Sequence, residues 1–119
     1  LPRVLQAQYQ NIYAYVRNHH PYPKGATVIS HCPDCGMLNI WHHNLLLCFS
    51  PSQFNSFQQF TNDMSFEDRS FPFPDGSERV VLCTPNRDIN FVFTREEWDD
   101  FNSAMVESLY LLEIHALLV

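Results

Sequence analysis

Apolar and polar residues alternate in the same order at two places along the chain, 44 positions apart. In "NLLLCFSPSQFNSFQQF" (44–60), Leu45, Leu47 and Phe49 take every second position; in "DINFVFTREEWDDFNSA" (88–104), Ile89, Phe91 and Phe93 take the matching ones. A period of two predicts a half-buried strand in each stretch. The period then lengthens. Phe54 and Phe57 in the first stretch, and Trp98 and Phe101 in the second, are spaced for one face of a helix. Between strand and helix stand Ser50 and Thr94, each followed three residues later by Gln53 or Glu97. This is the capping box, in which hydroxyl and Gln or Glu satisfy each other's backbone donors, and Pro51 suits a first helical position.

A further short apolar run precedes each strand, "MLNIW" before His42-His43 and "RVVLCT" before Pro85-Asn86-Arg87. The plan is therefore α+β: a duplicated ββα unit (ββαββα) related by a pseudo-twofold axis. Its hairpins are expected to join into one four-stranded antiparallel sheet with both helices on one face, since two separate ββα units would each bury little. Leu5, Tyr9, Ile12, Tyr13 and Val16 have helical spacing, and "HHPYPKG" ends that helix because its prolines cannot continue it. The expected single domain, 1–119, comprises an N-terminal helix and Pro-rich arm (1–27), a first ββα unit (28–62), a connector (63–77) and a second unit (78–119). The connector's stretch "MSFEDRSFPFPDGSE" has no sustained period and reads as a loop pinned by its aromatics.

Candidate chemistry concentrates in "SHCPDCGMLNIWHHNLLLCFS" (30–50). With His42-His43 as a two-residue turn, Leu38 faces Leu47 and Met37 faces Cys48. Cys48 then returns beside the Cys32-Pro33-Asp34-Cys35 turn, while the His pair sits about 17 Å away at the other hairpin end. Zinc lies about 2 Å from its ligands, so His42 and His43 are excluded from a metal held by Cys32 and Cys35. The metal candidates are Cys32, Cys35, Cys48 and His31, with His19 and His20 as further sources of a fourth ligand. The competing reading makes Cys48 and Cys83 small apolar residues on the outer sheet face, beside Met37, Asn39, Trp41 and Leu46. The paired histidines read either as polar turn residues or as a separate His-lined transition-metal site.

Composition narrows the functional classes. Thirteen acidic residues against seven basic ones leave no cationic stripe for a phosphate backbone, so nucleic acid is not an expected partner. The apolar run "LYLLEIHALLV" is broken by Glu113 and His115, so no membrane span is expected. No leader pattern is visible in "LPRVLQAQYQ", and four cysteines are few for a disulfide scaffold; a reducing, cytoplasmic setting is the expectation. A strand follows Cys35, where a redox-active CxxC would need a helix N-terminus to stabilise its thiolate. Asp99, Asp100, Glu107 and Glu113 read as the solvated face of the last helix, although paired carboxylates in a pocket would permit acid–base work.

"CPDCG" resembles the knuckle of rubredoxins and zinc ribbons, over five residues and half the usual motif. More widely, Cys32 to Phe60 is similar to an uncharacterised family of small bacterial proteins with a CPxCG turn and a duplicated ββα unit, a resemblance that implies no activity. The expected function is a small non-enzymatic interaction or structural domain, with one zinc at the CPDC turn and itself or another protein as partner. The alternative is a metal- or thiol-dependent enzyme using Cys32, Cys35 and a nearby His. The last helix carries two apolar groups: Trp98, Phe101, Met105, Leu109 and Leu112 for its own sheet, and Val106, Tyr110, Ile114, Leu117 and Leu118 for a second partner, most simply another copy of the chain, with Tyr9, Ile12 and Val16 of the N-terminal helix as the competing cover within one chain.

Overall fold

A computed structural model describes residues 22–32, 34 and 36–118. The expected N-terminal helix, His19, His20 and Cys35 lie outside the described residues. The first hairpin pairs β3 (Leu38–His42) with β4 (Leu45–Phe49) antiparallel, Leu38 opposite Phe49 and His42 opposite Leu45. Its turn is His43-Asn44, with His43 at φ 54, the positive φ that primed two-residue turns need at their first central position. The turn thus comes one residue later than the expected His42-His43, and Cys48 stands opposite Asn39 instead of Met37. Each partner moves by two positions, so no side chain changes face. Leu38, Ile40 and Phe49 are buried as expected, and Trp41 and Cys48 are exposed on the other side.

The two hairpins do not unite in one four-stranded sheet. Two strands upstream, β1 (Tyr22–Lys24) and β2 (Thr27–His31), occupy the free edge of β3 and give a sheet in the order β1-β2-β3-β4. In the second half, β5 (Phe71–Pro72) pairs with β6 (Glu78–Cys83), which pairs with β7 (Asn90–Phe93), in a separate three-stranded sheet. Each hairpin found a local partner: the first in β2, "TVISH", directly upstream, and the second in the two-residue β5, whose Pro72 and short length hide it as a strand. The 44-residue register holds for the second strand and the helix start but slips in the first strand. Phe49 pairs with Leu38, whereas Phe93 pairs with Val80, the counterpart of position 36 (80 − 44).

Both capping boxes form. Helix α1 (Pro51–Asn62) starts after Ser50, whose side chain accepts from the Gln53 N–H while the Gln53 side chain accepts from the Ser50 N–H. The connector contains a single turn, α2 (Phe66–Arg69), and is anchored by the buried Phe66, while Phe71 and Phe73 stack on each other 5.1 Å apart. Helix α3 (Arg95–Leu118) starts after Thr94, which exchanges the same pair of bonds with Glu97 at 3.0 and 3.3 Å.

Helix α3 packs against β1 and β2 of one sheet, β6 and β7 of the other, and α1. Its approach to the β1–β2 turn is so close that a Cβ on Gly25 would collide with the Asp100 carboxylate, and Gly25 also has φ 58. One core results, joining Ile29, Leu38, Ile40 and Phe49 to Val80, Leu82, Phe91 and Phe93 through Phe54, Phe57, Trp98 and Phe101. Phe101 is fully buried, its ring 4.6 Å from Phe93, 5.7 Å from Phe91 and 6.3 Å from Phe57. Phe101→Ala should therefore cost about 3–5 kcal/mol in urea unfolding, as a large buried aromatic does when a cavity replaces it. A cost below about 1 kcal/mol would show that the two sheets hold together without this ring.

Candidate functional site

The delayed turn has a chemical consequence: it makes His42 the last residue of β3, on the core-facing row after Leu38 and Ile40. Its side chain is only 5% exposed and packs edge-on to the rings of Phe93 and Phe91, at 4.7 and 5.9 Å. Thr27, fully buried and directly opposite on β2, places its Oγ1 3.0 Å from His42 Nδ1. The other ring nitrogen, Nε2, is buried without a hydrogen-bond partner and lies 3.6 Å from Glu97 Oε2.

His43, in the turn, brings its Nε2 to 2.5 Å from the same Glu97 oxygen and is mostly exposed. Glu97 sits in the first turn of α3, with Oε1 accepting the Thr94 N–H. The capping box therefore orients the carboxylate and leaves Oε2 for the two imidazoles. One donor atom from each of His42, His43 and Glu97 lies within 4.8 Å of the others, and among the described residues this is the one such group of three or more.

Electrostatics keep His42 neutral. Burial lowers its pKa, the neighbouring His43 lowers it further, and Glu97 only partly offsets them. Desolvation pushes Glu97 up, but the Thr94 N–H, the His43 side chain, the Thr94 hydroxyl and His42 outweigh it, leaving the carboxyl below its ordinary value. The pair presents an ionised oxygen to a neutral ring, an arrangement suited to a cation or a proton placed between them.

The cysteine turn lies at the opposite end of β3, as expected. Cys32 is buried; its N–H donates to the Met37 carbonyl and its own carbonyl accepts from Gly36 N–H, both at 2.8 Å, with Gly36 at φ 76. His31 pairs with Leu38 on the core-facing row, while Cys48 pairs with Asn39 on the opposite face. His31 and Cys48 thus start from opposite faces at the end of the sheet nearest the turn. Cys48 is exposed by area yet desolvated enough by its neighbours that its thiol pKa is raised, which disfavours a thiolate there. Two shallow hollows share Gln53, Thr84 and Pro85, one reaching Cys83 and the other Cys48; neither includes His42, His43 or Glu97. Among the described residues, no helix is long and apolar enough to cross a membrane.

The sequence offers the histidine pair as a His-lined metal site but gives no sign that Thr27 or Glu97 belongs to it. Glu97 was visible only as a capping residue. The usable signal was Asn44, a turn-former: with it in the turn, His42 continues the inward alternation of Leu38 and Ile40. Comparison with known protein families, with curated proteins and with solved structures finds no match to this chain.

In chelator-treated protein, the folded pKa of His42 lies below its ordinary 6.5. Between those two values the unfolded chain binds more protons than the folded one, so stability rises with pH there. This contribution is complete above about pH 6.5 and is lost as pH falls towards the folded pKa. Urea midpoints should accordingly drop between about pH 7.5 and pH 5.5, and His42→Phe should remove most of that drop. Equal slopes in the two proteins would assign the pH dependence to other groups.

Proposed function

We propose that this chain is a small non-enzymatic interaction domain whose partner is a second copy of itself, bound through the outward face of α3. The observation that supports this most directly is the exposure of Val106 (51%) and Tyr110 (65%), one helical turn apart, on a helix whose Ala104, Met105 and Ser108 are buried. The apolar sequence continues beyond them through Ile114, Leu117 and Leu118. An outward stripe of this kind is costly to leave in water. Each large apolar side chain removed from it contributes roughly 1.5–3 kcal/mol, and a few such contacts offset part of the entropy lost on docking. A twofold pairing needs only one self-complementary patch.

The same reading takes the two strand–strand–helix segments as copies of one unit, the second carrying a longer hairpin connection at 84–89 where the first has residues 43–44. The exposed thiols of Cys48 and Cys83 suit a reducing, cytoplasmic compartment. A structural zinc at the CPDC turn also belongs to it: the closed backbone turn around Cys32 supports a knuckle, with Cys35 and two of Cys48, His31, His19 and His20 completing the four ligands.

Two measurements test the proposal. Sedimentation should find the intact chain dimeric and a Val106→Glu, Tyr110→Glu double variant monomeric; a monomeric intact chain, or a variant that stays dimeric, rejects the α3 interface. Metal analysis of protein purified without added metal should find zinc that Cys32→Ser, Cys35→Ser protein has lost at the turn. A cleft-bound reactive thiol in its place would favour the alternative, an enzyme using Cys32, Cys35 and a nearby His.

A further inference from the structure

We infer that His42, His43 and Glu97 form a second, independent metal site, selective for a borderline divalent transition-metal cation of the zinc class. The carrying observation is the buried Nε2 of His42. It has no hydrogen-bond partner, belongs to a residue 95% removed from solvent, and faces a carboxylate oxygen 3.6 Å away. Thr27 Oγ1 holds the opposite ring nitrogen at 3.0 Å. In the tautomer whose Nδ1–H donates to that hydroxyl, the one a metal at Nε2 requires, the Nε2 lone pair lies 3.6 Å from the ionised Glu97 Oε2. A lone pair facing an anion is repulsive, and a cation between them turns both contacts favourable.

The spacing suits one ion. Two donors on a tetrahedral zinc about 2.05 Å from each are roughly 3.3 Å apart. The Glu97 oxygen is 3.6 Å from His42 Nε2 and 2.5 Å from His43 Nε2, values that bracket this figure. Two imidazoles and one carboxylate select zinc-class ions over magnesium or calcium, which require more oxygen ligands. The first-turn amides of α3 oppose a cation, but less than a directly bound carboxylate attracts it. Three protein donors leave a fourth position open. Solvent reaches the site from the side of His43, which is 60% exposed. The ion would join the tip of the first hairpin to the start of α3, with its free position available to water or to an anionic or imidazole ligand.

The site is separable from the cysteine turn and from the α3 interface. The test uses the 119-residue Cys32→Ser, Cys35→Ser chain, stripped with chelator and titrated with zinc chloride alone by calorimetry, together with NMR of the histidine ring resonances. One equivalent should bind, shifting the rings of His42 and His43. His43→Asn, chosen because Asn accepts a positive φ, and Glu97→Gln, which retains an acceptor for the Thr94 N–H, should each weaken binding at least about tenfold. Absence of zinc binding by the serine background overturns the inference. So does a shift confined to His19, His20, His31 or His115, or an affinity that both variants leave unchanged from the serine background. Should Glu97→Gln misfold, the ring shifts and the His43→Asn affinity still decide.

Discussion

One helix has to satisfy two sheets. Neither the four-stranded sheet nor the three-stranded one pairs with the other, so the two halves meet through side chains, with α3 packed against strands of both. Phe101 carries this arrangement: from α3 its ring reaches Phe91 and Phe93 of the second sheet and Phe57 of α1, and Phe57 in turn stacks on Phe49 of the first. Aromatic rings suit such a junction because each supplies a large apolar area with few rotatable bonds. A two-stranded hairpin is marginal alone; each half adds strands to its hairpin and pools its apolar face with the other in one core.

The same junction determines where polar chemistry can survive. At the edge of the core, His42 is enclosed by phenylalanine rings on one side and by Thr27 and Glu97 on the other. Burial of an imidazole is tolerated when it is neutral and its nitrogens are paired, and here only one nitrogen is paired. The start of α3 is positioned by the Thr94–Glu97 capping box, a local device, yet its second oxygen is directed at a hairpin more than fifty residues away in sequence. A helix cap thereby contributes to a site assembled from three separate elements.

The two surfaces proposed to act lie at different points of α3. Glu97 is in its first turn and Tyr110 is thirteen residues further on, which at 1.5 Å per residue places them about 20 Å apart along the axis. Metal binding at one end and self-association at the other can therefore be removed independently, and each leaves the core around Phe101 untouched.

By itself the sequence determined what depends on neighbours along the chain. The strand alternation of Leu45, Leu47 and Phe49, the helix starts after Ser50 and Thr94, both capping boxes and the inward faces of α1 and α3 are all settled within a few residues. The turn at His43-Asn44 is legible only through Asn44, because His42 and His43 are chemically alike; the core around Phe91 and Phe93 then buries one ring and leaves the other exposed. The partition into two sheets was not legible either, since strand partners are chosen by edge availability across the fold, and the short, proline-containing strands at 22–24 and 71–72 carry no periodic signal. Tertiary structure alone brought Glu97 to the histidines, because a contact between residues 54 positions apart has no local physical cause: it follows from where α3 must lie to cover both sheets.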